Sequence, residues 1–200
     1  MIDDQGLTQG TIVTEPPTVE PVTLTQARAQ LAVEAGDTSR DGQLTGFIAA
    51  AHRYVEGALG YPVMRQTRQT HLYGFPRAGI WISGGADLDV DDVEYRDTAG
   101  DLQTLDDGDY IVDSVSMPTM IVPAPGRSWP VTVSRPSAVI VTWSAGWDDE
   151  GEVPGDLVHA MLMLIGHWDM NREAVFAGGV SKAIEFAVDA LINPWRTRVV

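Results

Sequence analysis

The stretch PGDLVHAMLMLIGHWDMNREA, residues 154–174, decides how the rest of the chain is read. Leu157, Met161, Leu164, Ile165 and Trp168 recur at three- and four-residue steps, the spacing of one face of an α-helix. Pro154 fits the first turn, and Asp156 puts a carboxylate near the positive end of the helix dipole. Met163 widens the apolar surface, so this helix is expected to be buried on more than one side. It therefore needs other helices as partners.

Two partners are expected earlier in the chain. Thr23 with Gln26 three residues on is a capping-box pattern, and Leu24, Ala27 and Leu31 follow on one face of a short helix. A longer helix is expected from about Asp41 to Leu59, with Leu44, Phe47, Ile48, Ala51, Val55 and Leu59 as its stripe and Tyr54 at the margin. Gly60 permits a left-handed stop, and Pro62 cannot continue the ladder. A final helix is expected from about Val180, after Gly178-Gly179, to Ile192, before Pro194.

Between these pairs the periodicity falls to two or vanishes. Strands are expected at 64–73, 79–83, 90–96, 110–112, 119–122, 131–134 and 138–143, punctuated by Ala99-Gly100-Asp101 and Asp107-Gly108-Asp109 as positive-φ turns. The expected fold class is α+β: an α-helical bundle of two N-terminal and two C-terminal helices with an inserted small antiparallel β domain. Residues 1–21, proline-bearing and poor in periodic apolar content, read as a flexible arm. The expected parts are then 22–62 and 151–193 as the two halves of a helical platform, 63–150 as the β insertion, and 194–200 as a C-terminal tail.

Two hundred residues suffice to bury a core without staples, and the absence of cysteine removes disulfides, thiolate metal sites and cysteine nucleophiles. No stretch approaches the roughly 18 apolar residues of a membrane span, and no export leader is visible, so a soluble protein with no membrane partner is expected. The net charge of −15, with Lys182 as the single lysine, opposes binding of nucleic acid through its phosphates. Residues 87–113 hold eleven acids against Arg96 alone, which predicts one strongly negative face.

The chemical candidates are thin. Asp87, Asp89, Asp91, Asp92 and Glu94 are oxygen donors, but the EF-hand glycine and final glutamate are missing from their spacing, so no metal is expected; alternation with Leu88 and Val90 makes a wet strand face. Glycan hydrolysis needs a selected carboxylate pair, and no motif selects one. Trp81, Trp129, Trp143 and Trp147 could stack on sugars, although tryptophan in a β domain is more often core or interface. Neither a Gly-x-Ser-x-Gly elbow nor a phosphate loop is present. His167 has no visible catalytic partner, and His159 is too far along the helix for an i, i+4 metal pair; a structural histidine beside Trp168 fits better. No enzyme activity and no cofactor are expected.

The run His167-Trp168-Asp169-Met170-Asn171-Arg172-Glu173-Ala174, followed by Phe186-Ala187-Val188-Asp189-Ala190-Leu191 and Pro194-Trp195-Arg196, resembles the close of the head-tail connector (adaptor) proteins of long-tailed bacteriophages and phage-like gene transfer agents. Thr23-Leu24-Thr25-Gln26-Ala27, Phe47-Ile48-Ala49-Ala50-Ala51 leading to Tyr54-Val55-Glu56, Gln66-Thr67, Phe75-Pro76, Val93-Glu94-Tyr95 with Gly100, Tyr110-Ile111-Val112-Asp113, Ala145-Gly146-Trp147 and Val153-Pro154 extend the resemblance over residues 22–196. The 167–174 run is its most specific part.

The resemblance implies a homo-dodecameric ring beneath the portal protein that extends the DNA channel and receives the stopper or a tail protein. It places the chain in a virion or virus-like particle assembled in the bacterial cytoplasm. It implies that Pro194, Trp195, Arg196 and Arg198 meet the portal, with Tyr54, His167, Trp168, Asn171, Arg172 and Glu173 at portal or subunit interfaces. Asp87, Asp89, Asp91, Asp92 and Glu94 would face the channel, where DNA passes without specific binding. The alternatives are a stopper or tail-terminator connector and, more remotely, a carbohydrate-binding module or glycan hydrolase on the β domain.

Overall fold

A computed structural model describes residues 8–34, 36–85, 87–171 and 182–196. They divide into two units, a β unit from 8–17 and 65–146 and a helical unit from 18–64 and 147–196.

The helical unit holds α1 (Leu24–Gln30), α2 (Asp41–Leu59), α3 (Gly155–Met170) and α4 (Lys182–Ile192). Thr23 caps α1 as expected: its Oγ1 accepts from Gln26 N at 3.2 Å, and its own N–H donates to Gln26 Oε1 at 2.8 Å. α2 runs over the expected residues and stops at Gly60, whose φ of 80° is the left-handed conformation that lacks a Cβ penalty. The stripes meet in one core in which Ile48, Ala51 and Val55 of α2, Leu157, Met161, Leu164 and Ile165 of α3, and Val188 and Ile192 of α4 are buried. Each large side chain so buried contributes roughly 1.5–3 kcal/mol. The bidentate pair from Arg28 to Asp41 joins α1 to α2. Trp147 N–H donates to Val63 O at 2.9 Å, which fastens the segment before α3 to the segment after α2.

Among the described residues the β unit has eight strands in two antiparallel sheets. The larger sheet has the order β1-β2-β8-β4-β5, from β1 (Thr8–Glu15), β2 (Gln66–Leu72), β4 (Asp89–Arg96), β5 (Leu102–Thr104) and β8 (Val139–Ala145). The smaller has the order β3-β7-β6, from β3 (Ile80–Ile82), β6 (Tyr110–Asp113) and β7 (Thr119–Pro123). β8 is central, and its alternate residues Val139, Val141, Trp143 and Ala145 point into a core shared with Ile80, Ile82 and Ile121. The buried Trp143 Nε1 donates to Thr70 Oγ1 at 2.9 Å, so burial leaves that donor satisfied.

The expected fold class needs correction. The first described element is a strand, so the helices do not form an N-terminal pair in a bundle with a small β insertion; the fold is α+β with two antiparallel sheets, the larger including a strand that precedes every helix. Residues 8–15 read as arm because β1 is an edge strand held by backbone pairing to β2, with Ile12 and Val13 half exposed and no apolar face to announce it. β5 was silent for the same reason, all three residues being exposed. Residues 131–134 form no strand; Val133 N donates once, to Arg96 O. Gly100 has the expected positive φ of 94°, whereas residues 107–109 form a short 3₁₀ turn instead.

Within the helical unit Glu20 reaches α2. His52 is buried, its Nδ1 2.9 Å from Glu20 Oε2 and its Nε2 3.2 Å from Glu56 Oε2, off the hydrogen-bond direction. Burial opposes the imidazolium, but the hydrogen bond with Glu20 and the close carboxylates of Glu20 and Glu56 outweigh it and raise the pKa from 6.5 to about 9. A raised folded pKa stabilises fully below the unfolded value and is lost as pH climbs through the folded one. Thermal unfolding is therefore expected to show stability falling between pH 6.5 and about 9, by at most ~3 kcal/mol and by less where the solvent-facing Glu20 is screened. His52→Gln is expected to flatten that slope; an unchanged slope would remove the pair from the stability account.

Two glycines give a second check. A Cβ at Gly60 meets no atom within 4 Å, while one at Gly79, φ 106°, lies 2.8 Å from Ile121 O. Gly60→Ala is expected to cost about 1 kcal/mol in urea unfolding and Gly79→Ala distinctly more, because a ladder carbonyl cannot step aside. Equal costs would contradict the packing of β7.

Candidate assembly interface

The last carbonyls of α2 have no partner within the helix, and the C-terminal segment supplies one. Arg196 Nε donates to Ala58 O at 3.2 Å, while its Nη2 donates to Asp189 Oδ1 of α4 at 2.7 Å. The carboxylate pair is exposed at both ends and so weak; the guanidinium is positioned chiefly by the helix end. One residue earlier, Tyr61 Oη donates to Trp195 O at 2.5 Å, and the Trp195 ring stands edge-on to Trp147, with centroids 6.4 Å apart and planes at 80°. Burial raises the Tyr61 hydroxyl pKa, which keeps it a donor. Trp195 retains 36% exposure, and Pro194 is exposed in the 3₁₀ turn Asn193–Trp195. The tail residues are thus anchored on their own helices with part of the indole still open.

Tyr54 belongs to this group. It is half-buried on the helical core, and its hydroxyl pKa is raised first by burial, then by Glu185 and Asp189, with Arg196 opposing. Sequence reasoning missed Tyr61, Trp147 and Asp189 as the residues that hold Trp195 and Arg196. Only the Gly-Tyr-Pro at the α2 exit, where an aromatic follows a helix stop, could have pointed to the first.

His167, Trp168 and Asn171 form a second group. His167 is buried; Asn171 N and Nδ2 both donate to its carbonyl at 3.0 Å, which closes α3, and Nδ2 also sits 3.3 Å from the imidazole Nδ1. Trp168 packs on Phe47 at 6.2 Å, and Arg40 pairs with Asp169. Phe47 and Ala58 lie eleven residues apart on α2, about 16 Å along its axis. The described interface candidates therefore fall into two groups, one at Trp195 and Tyr54 and one at His167, Trp168 and Asn171. Arg172, Glu173 and Arg198 lie outside the described residues.

In the β unit, the acids of β4 alternate with the core until a bulge between Val90 and Asp92, after which Val93 returns to the buried face. Asp89, Asp91 and Asp92 are exposed, Glu94 half-buried, and Asp87, at φ 47°, exposed in the preceding turn. Arg65 ties the start of the strand, donating to Asp87 O at 2.7 Å and pairing with Asp89 at 2.5 Å. Burial first, and Asp89 and Asp92 further, raise the pKa of Asp91, while Arg65 and Ser144 lower it. Among the described residues no three of His, Asp or Glu converge as a cation site.

The tryptophans of the β unit have different surroundings. Trp143 is buried, Trp129 stacks on Phe75 at 4.6 Å while its Nε1 donates to Pro76 O, and Trp81 is exposed on the smaller sheet. Among the described helices none is long and apolar enough to cross a membrane.

No family model matches the chain, and no curated protein does. Solved structures do. A chain from the virion of a native gene transfer agent particle aligns with a TM-score of 0.74 at 20% identity, covering 95% of this chain and 96% of that one. A chain from the neck of an empty particle of that kind, computed with C6 symmetry, gives 0.73 at 20%, covering 94% and 97%. One from the neck of a native particle, computed with C12 symmetry, gives 0.70 at 21%, again covering 94% and 97%. At such identity the agreement is one of fold, and it extends over nearly the whole of both chains.

Proposed function

We propose that this chain is a head-tail connector of the adaptor type. Twelve copies form a ring beneath the portal protein, extend the DNA channel, and receive the stopper or a tail protein, in a virion or virus-like particle assembled in the bacterial cytoplasm. The observation that carries this reading is the near end-to-end likeness to chains from gene transfer agent necks, one computed with C12 symmetry. The adaptor position within such a neck rests on the 167–174 run and the Pro194-Trp195-Arg196 close. The role asks for no catalysis and no cofactor.

The open part of Trp195, with Pro194 beside it, is the proposed portal contact. Tryptophan and arginine are enriched among interface anchors, and truncating one commonly costs 2 kcal/mol or more; repetition around a ring turns modest contacts into firm attachment. The acids of β4 are proposed to face the channel and repel DNA phosphates. That effect reaches only about 8 Å at physiological salt, so in a ring whose β4 faces outward it is void and the charge serves solubility alone.

Trp195→Ala tests the portal contact, because it keeps the main-chain carbonyl that Tyr61 donates to. The variant is expected to fold, judged by circular dichroism, and to lose at least tenfold in capture by portal rings. Undiminished capture would overturn the contact, and capture of the unaltered chain by tail components but not by portal would make it a stopper.

A further inference from the structure

The seat of Trp195 is built on the exit of α2. Tyr61, whose Oη donates to the Trp195 carbonyl, and Val63, whose carbonyl accepts from the Trp147 N–H, both follow directly on the helix stop at Gly60. Trp147 in turn holds its ring edge-on to Trp195, and Arg196 reaches Ala58 O in the last turn of the same helix. Tyr61, Val63 and Met64 are buried, so a shift of this segment carries Tyr61 and Trp147 with it.

One carboxylate pins that segment. The Val63 N–H donates to Glu56 Oε2 at 3.4 Å. A buried main-chain donor without an acceptor is costly, so the place of the Glu56 side chain decides how firmly residues 61–64 are held. The same oxygen lies 3.2 Å from His52 Nε2, one turn back along α2, and His52 Nδ1 lies 2.9 Å from Glu20 Oε2. Two carboxylates beside a buried ring keep it an imidazolium up to about pH 9. Charged groups on the elements packed against α2 are engaged elsewhere: Arg28 of α1 with Asp41, Asp169 of α3 with Arg40, and Glu185 and Asp189 of α4 beside Tyr54. The charges that act on His52 are those of Glu20 and Glu56, with no contribution from Asp156, His159 or His167 of α3 or Lys182 of α4.

We infer that His52 and Glu56 are positioning residues for the Trp195 contact: the imidazolium fixes the Glu56 carboxylate, the carboxylate fixes the exit of α2, and that segment presents the indole. The inference rests on the portal reading above. His52 and Ala58 are six residues apart, about 9 Å along the helix, so the influence passes through adjoining contacts.

His52→Gln and Glu56→Ala, each folded by circular dichroism at the assay temperature, are expected to weaken capture by portal rings at least about fivefold. The double variant is expected to lose no more than the weaker-binding single one, because both substitutions break one relay. Arg28→Met breaks an ion pair at the opposite end of α2 and is expected to leave capture unchanged. Amide hydrogen exchange separates seating from stability. A loss of global stability quickens exchange in α3, whereas a loosened seat also quickens it at residues 193–196, which open locally. The advantage of the unaltered chain over His52→Gln in capture is expected to vanish as pH rises through about 9. Normal capture of both single variants, or unchanged exchange at 193–196, overturns the inference while Trp195→Ala still marks the contact. If Trp195→Ala is captured normally, the portal contact and the inference fall together.

Discussion

A single main-chain bond, from Trp147 N–H to the Val63 carbonyl, closes the helical unit. α2 and α3 are separated in sequence by strands β2 to β8, and neither can bury its stripe alone. The bond, with the parallel bridge between Met64 and Trp147, returns the chain beside the end of α2 so that Val55 and Leu59 can share a core with Leu157 and Met161. In the β unit, β2 and β8 are antiparallel neighbours, with Gln66 opposite Ala145. Trp147 also carries the ring against which Trp195 stands, so the element that closes the unit also seats its C-terminal anchor.

The helices were legible because their information is local. Thr23 with Gln26, Gly60 before Pro62, and the three-and-four spacing of Leu44, Ile48, Ala51 and Val55 are read off the chain without knowing a partner. β1 and β5 were not legible, because an exposed edge strand is held by backbone pairing that leaves no side-chain pattern. That gap overturned the expected fold class: a strand ahead of the helices joins the larger sheet, and a bundle with a simple insertion is no longer the description. The sequence names Trp195 and His167 as candidates but does not say what either packs on. Phe47, on which Trp168 packs, and Ala58, which Arg196 reaches, are about 16 Å apart along α2.

The two sheets of the β unit expose different residues. β4 exposes Asp89, Asp91 and Asp92, of which Asp89 is paired with Arg65, whereas β3 and β6 of the smaller sheet expose Trp81 and Ile111. Trp81 and Ile111 on the smaller sheet are held partly in water, at a free-energy cost to the single chain.

The most direct measurement is an electron cryo-microscopy reconstruction of purified particles in which this chain is located by its side-chain density. The account predicts twelve copies in one ring immediately below the portal, encircling the path of the DNA. Density for the chain away from the portal, or present without rotational repetition, would contradict it.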